Sequence, residues 1–311
     1  MTIEGILIPL AGSIVFAIVA PIIGCLLAGI DRVLSARMQG RVGPPLLQPY
    51  YDVRKLLDKE KVTVNGVQDA YVICAFIFAC LAGGIFFTGG NLLMCVFVIT
   101  LSSLFFIIAA YSSRSPYAEI GANRETIQVM AYEPMVLLFA VGFYMATGLI
   151  LMNDTLNDMG EAMPLIGSFD VGSVFLLDQP IIVWTVLIFI GLMFILTIKL
   201  RKSPFDLSMS HHAHQEIVRG MTTEMSGSTL ALVEVLHWCE TVLFLGWIAI
   251  FFIWSNPLSI ILGIVVALLA FFLEILIDNN FARVKWQFML KSAWLVALIG
   301  GGINIAVMAF V

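Results

Sequence analysis

The chain has 311 residues, of which 60% are hydrophobic and only 12% charged; a water-soluble domain carries about 25% charged residues. That composition excludes a single aqueous core and requires lipid as solvent. The net charge of −5 gives no electrostatic footprint for nucleic acid.

In chain order, the apolar runs long enough to span a bilayer are Ile6–Ile30, Ala70–Phe87, Leu92–Tyr111, Ile127–Leu151, Ile181–Leu200, Leu230–Ile253, Leu258–Ile277 and Lys291–Val311. The first is too long for a cleaved leader and reads as a retained span. The runs are apolar on every side, whereas barrel strands alternate in polarity. The predicted fold is therefore all-α: one polytopic membrane domain over residues 1–311 with about eight helices. The sixteen Lys and Arg residues fall in alternate loops, at about 31–69, 112–126, 201–229 and 278–290, or at the span ends beside them. The opposite loop Asn153–Gln179 carries Asp154, Asp158, Glu161, Asp170 and Asp178 instead. Positive-inside bias puts the basic loops in the cytoplasm and both termini outside.

Cys25, Cys74, Cys80, Cys95 and Cys239 lie inside apolar runs with no metal-ligand spacing, so no iron–sulfur cluster is expected in this chain. There is no phosphate-binding glycine loop and no nucleophile–base–acid arrangement. The informative residues are carboxylates near the cytoplasmic ends of spans, where burial is costly: Glu133, Glu234, Glu240 and Glu274. Glu133 precedes Pro134, which frees a backbone carbonyl one turn back; a plain kink is the plainer reading. Glu234, His237 and Glu240 share one helix within an arc of roughly 120°. Such a strip can pass protons near neutral pH, or it can be a polar face turned to a partner. His211, His212, His214 and Glu216 lie together in the third basic loop, without the ligands that would complete a metal site.

Three blocks make the chain recognisable: Arg37–Glu60 (RMQGRVGPPLLQPYYDVRKLLDKE), Ser115–Pro134 (SPYAEIGANRETIQVMAYEP) and Lys202–Gly227 (KSPFDLSMSHHAHQEIVRGMTTEMSG). In order, side and span layout they resemble the membrane subunit that joins the two arms of respiratory NADH:quinone oxidoreductase and of the energy-converting NiFe-hydrogenases. Gly43–Pro44 runs almost directly into Leu46–Leu47–Gln48–Pro49, and histidines interrupt the acids after PFDL; both features resemble the hydrogenase branch, most of all its Ech type.

The resemblance implies a coupling subunit without a cofactor of its own, in a prokaryotic cytoplasmic membrane. It implies partners that hold a NiFe centre and iron–sulfur clusters: hydrogenase large and small subunits, an iron–sulfur subunit and an antiporter-like membrane subunit, with ferredoxin as donor. Proton or ion coupling would run through Glu133, Asp206, Glu216, Glu224, Glu234, His237 and Glu240, with His211, His212 and His214 in the coupling loop. Arg37, Arg41, Asp52, Arg54, Lys55, Glu119 and Arg124 would dock the soluble arm. A formate hydrogenlyase or a quinone-reducing complex is the alternative within the superfamily. A stand-alone transporter is the alternative outside it, disfavoured by the lack of inverted repeats.

Overall fold

The computed structural model describes residues 3–62, 65–159, 167–202, 205, 218–282 and 284–310. The elements are α1 (Ile3–Met38), α2 (Gln48–Leu57), α3 (Gly66–Phe87), α4 (Leu92–Ser112), α5 (Pro116–Met159), α6 (Val186–Lys199), α7 (Gly227–Ala249), α8 (Leu258–Asn280), α9 (Trp286–Val296) and α10 (Ile303–Phe310). A π-helical segment, Ala297–Gly302, joins α9 to α10. The fold is all-α and polytopic; among the described residues seven helices are long and apolar enough to cross a membrane, and a shorter apolar one is α6.

Polar residues cut the long apolar runs into helices. Asn65 and Asn91 accept from the backbone N–H groups of Val67 (3.2 Å) and Met94 (3.1 Å), capping α3 and α4. The expected loop at 112–126 contracts to a tight turn, because the chain re-enters helix at Pro116, a residue suited to the first helical turn. The span expected at Ile181–Leu200 is helical only from Val186; Ile181–Val183 is a separate 3₁₀ turn.

α3 packs against α1, α4 and α7, and α5 against α4, α6 and α9. The centre of the bundle is aromatic: Phe139 lies 5.8 Å from Trp247 and 5.2 Å from Phe251, and all three are buried. α1 crosses α7 closely at Gly24, where an added Cβ would sit 2.8 Å from Trp238 Cα. The outer faces of α1 and α8 expose Ile14, Val15, Ile18, Ile261, Leu269 and Leu273, surfaces suited to lipid.

The two ends of the bundle are tied differently. At the end with the basic residues, Lys61 pairs with Asp69 (2.6 Å), which also accepts from Thr229 (2.5 Å). At the other end, backbone bonds link Leu92 N–H to Phe169 O (2.7 Å) and Ser255 N–H to Leu177 O (3.0 Å).

Candidate functional site

A cavity of about 640 Å³ opens at the basic end, walled by α1, α2, α7, α8 and the residues that close α6. α2 is the amphipathic helix that makes its outer wall. Its Pro49 and Val53 are buried, while Arg54 and Lys55 face out. Asp52 on its cavity side bonds Arg32 at 2.5 Å and Gln48 at 2.8 Å. Burial pushes the Asp52 carboxyl up, but Arg32, Gln48 and Lys55 outweigh it and hold it below the usual carboxylate range.

Two ionic sets line the inner wall. The first is a chain. Arg201 is held at a φ of 54°, in the left-handed region that non-glycine residues seldom adopt. Its guanidinium donates to Glu125 Oε1 at 3.3 Å and to the Nε2 of His237. A guanidinium only donates, so Nε2 accepts and the imidazole proton lies on Nδ1. That nitrogen stands 3.5 Å from Glu240 Oε2. The other oxygen of Glu240 lies 3.9 Å from Lys199 Nζ, which bonds Ser103 Oγ at 3.2 Å and sits 4.6 Å from the Tyr132 ring centroid. Glu125, Arg201, His237, Glu240 and Lys199 thus form one row of charged and polar side chains from α5 to the floor of the cavity, hydrogen-bonded as far as His237 and in close approach beyond it. Beyond Lys199 the lining turns apolar, with Val136, Leu192, Ile195, Leu196, Phe244 and Trp247 around it.

The second set centres on Lys202, which bonds Asp31 and, at 3.3 Å, Asp278. Burial pulls the Lys202 ammonium down, but the two carboxylates outweigh it and hold it above the usual lysine value.

Of the residues singled out in the sequence, Glu234, His237, Glu240 and Asp52 line the cavity. Glu133 is half-buried on α5 but is not part of the lining. Glu224 is half-buried in the turn before α7. Arg37, Arg41, Arg54, Lys55 and Glu119 are exposed on the basic end, and Arg124 lies 5.2 Å over the Trp286 ring. Asp206, His211, His212, His214 and Glu216 lie outside the described residues. The residues that sequence reading missed are the cations Lys199, Arg201 and Lys202 and the acids Asp31, Glu125 and Asp278. In the sequence the cations served only to mark sidedness.

A family model described as NADH dehydrogenase matches residues 11–309. Hydrogenase-4 component C of Escherichia coli (strain K12) is 26% identical over 98% of this chain and 95% of its own length. Formate hydrogenlyase subunit 4 of the same organism is 26% identical over 98% of each chain. A subunit of the NADH-quinone oxidoreductase of Anoxybacillus flavithermus is 26% identical over 99% of this chain and 92% of its own. Among solved structures, a chain of the membrane-bound sulfane sulfur reductase, an archaeal respiratory membrane complex, superposes with a TM-score of 0.77 at 21% identity. The match covers 95% of this chain and 99% of that one and shows a shared fold.

Proposed function

The chain belongs to the NADH dehydrogenase family, and from that premise we propose that it is the coupling membrane subunit of a ferredoxin-linked, energy-converting NiFe-hydrogenase. At the coarser level it is a membrane subunit of a complex I-like, hydrogenase-type respiratory complex, as its full-length relatives are. The observation that supports the coupling role is the path from Glu125 to Lys199 along the wall of an open cavity, and the likeness to hydrogenase-4 component C and formate hydrogenlyase subunit 4 supports the hydrogenase part.

In this reading the soluble arm docks on Arg37, Arg41, Arg54, Lys55 and Glu119, and holds the NiFe centre and the iron–sulfur clusters. Arg201 is the movable part. While it bonds His237, the Nε2 lone pair is blocked and the imidazole cannot take a second proton. Charge on the docked arm turns Arg201 wholly onto Glu125. His237 then accepts a proton from cavity water at Nε2 and gives up the one on Nδ1 to Glu240. Protonation of Glu240 removes the counter-charge of Lys199, whose ammonium is the innermost charge of the path. A local electrostatic change at the surface thereby becomes a charge change inside the membrane. The loop histidines His211, His212 and His214 would sense the arm, with Asp206, Glu216 and Glu224 beside them; Glu133 and Glu234 would extend the route to either side.

The test uses the native complex in sealed liposomes, driven by reduced ferredoxin. Replacing His237 by Phe is expected to leave H₂ formation within about twofold and to lower ion movement about 100-fold or more, the scale typical of losing one positioned acid–base group. Full ion movement in that variant would sink the role given to the path. The similarity to formate hydrogenlyase subunit 4 and to the NADH-quinone oxidoreductase relative supports a second reading, in which another donor or a quinone acceptor replaces ferredoxin and protons. H₂ formation that collapses on quinone extraction and returns on its addition would favour the quinone reading.

A further inference from the structure

Glu274 on α8 is fully buried, with no exposed surface, and among the described residues neither carboxyl oxygen has a hydrogen-bond partner. It lies three residues from Phe271 and four from Asp278, so the three share one face of the helix, and both of those neighbours line the cavity. The nearest charges acting on it are Lys202 and Asp278. Among the described residues, Leu27 from α1 and Leu245 and Ala249 from α7 join Phe271 and Ile275 of α8 in one apolar cluster beside Glu274. Lys202, which follows α6, is already shared by Asp31 and Asp278, and Glu274 is a third carboxyl one turn along α8 from Asp278, within electrostatic reach of the same ammonium. Two carboxylates already exceed its charge, and an unpaired third one buried in apolar packing is the costliest arrangement available. Among the described residues the oxygens of Glu274 face no donor, so the side chain fits there as the neutral acid.

We propose that Glu274 is a proton-binding site of this membrane domain, set apart from the Glu125–Lys199 path and controlled by which carboxylate Lys202 pairs with. Asp278 is one turn away along α8, about 6 Å of rise, and it faces the cavity. In the resting state Glu274 holds the proton and Asp278 is ionised on Lys202. When Lys202 turns inward, the O–H bond at Glu274 breaks and one forms at Asp278, directly or through one water. Glu274 becomes the carboxylate partner of the ammonium, and the ammonium keeps its own protons. Asp278, now neutral, releases its proton to cavity water, and a proton from that water reverses the sequence. The site adds one exchangeable proton beside the cavity without any group crossing the apolar cluster.

The inference rests on the reading of the cavity as a proton route, but its readout does not. Infrared difference spectra of the native complex, taken between mildly acidic and mildly alkaline buffer, report the C=O stretch of a protonated carboxylic acid in apolar surroundings. Wild type is expected to show such a band that bleaches in alkali, and Glu274→Gln is expected to lack it. In Lys202→Met the band should remain and no longer bleach, because the carboxylate has lost its cation. Asp278→Asn leaves Lys202 in place and is expected to slow the bleaching, since the proton has lost its exit. No band assignable to Glu274 overturns the proposal, and so does a band whose bleaching is unchanged in Lys202→Met. Intact ion movement in a complex where Glu274 gives no band would leave the coupling function standing and remove only this site.

Discussion

Arg201 shows how much one side chain does at this site. It sits in a backbone conformation that favours glycine and bonds both a buried carboxylate and an imidazole. Glu125 is 6% exposed and among the described residues its second oxygen has no hydrogen-bond partner, so the guanidinium is the main compensation for its charge there. Arg201→Ala should therefore destabilise the protein by about 3–5 kcal/mol, the scale for leaving one half of a buried pair uncompensated. Adding Glu125→Gln should recover most of that loss, because the stranded charge is gone. Thermal unfolding in detergent, followed by the reactivity of the buried cysteines, measures both. An Arg201→Ala protein as stable as its parent would show that water, not the guanidinium, compensates Glu125. The sequence could not expose this pairing. A basic residue just past a span gives the same sidedness signal whether it faces solvent or a buried acid. Glu125 itself lies 76 positions from its partner, beyond any helical spacing. The Glu234–His237–Glu240 strip was legible because its members share one helix, where i and i+3 positions neighbour each other.

At the scale of elements, the starts of α3 and α4 were readable because Asn65 and Asn91 cap them, whereas α1 and α5 run several residues past the expected spans, through polar residues that apolarity alone does not count as helix. The start of α6 was not readable either, and the reason is physical. Apolarity reports which solvent a segment meets, not which hydrogen bonds it makes. The expected run from Ile181 is apolar apart from Thr185, Thr197 and Lys199, yet its first turn is 3₁₀ and the α-helix proper has 14 residues, about 21 Å of rise. An unsatisfied backbone group at such a break is costly in the membrane. Asn304 on α10 supplies the partners: its Oδ1 accepts from Leu187 N–H at 3.1 Å and its Nδ2 donates to Trp184 O at 2.7 Å. The π-helical turn at Ala297–Gly302 precedes it and sets the phase at which α10 presents that amide. Asn304→Leu keeps the volume and removes both bonds, leaving one donor and one acceptor without their partner. The expected loss is about 1–3 kcal/mol for each stranded group, read as a lower unfolding temperature of the detergent-solubilised chain. Unchanged stability would mean that α6 is held by packing alone.

For the whole molecule, the charge asymmetry seen in the sequence becomes an asymmetry of construction. The basic end holds the cavity and the ion pairs of Arg32, Lys61, Lys199, Arg201 and Lys202, while the opposite end is closed by short backbone bridges such as Asn91 with Asp170. The helical, many-span character of the chain was legible because lipid imposes one length and one polarity on every crossing; of the eight expected spans, seven are long enough to cross among the described residues and α6 is shorter. The gathering of separate helices around one cavity was not legible, since it depends on contacts between distant segments. The alternation of the basic loops makes a prediction about orientation. Positive residues are retained on the cytoplasmic side, so the docking face and the cavity should open to the cytoplasm, and the acidic segment containing Asp158 should lie outside. Four of the five native cysteines are buried and the fifth is half-buried, so a cysteine-free background can be made by small substitutions inside the bundle. In it, a single cysteine replaces either Asp158 or Arg41, the latter an exposed residue of the basic end. A membrane-impermeant maleimide added to intact cells is expected to label the Asp158 variant and not the Arg41 variant, with labelling of Arg41 appearing only once the cells are broken open. Labelling of both from the outside would break the alternation. Labelling of Arg41 alone would invert the protein and place the cavity, and any soluble arm docked over it, on the wrong side of the membrane for a cytoplasmic electron donor.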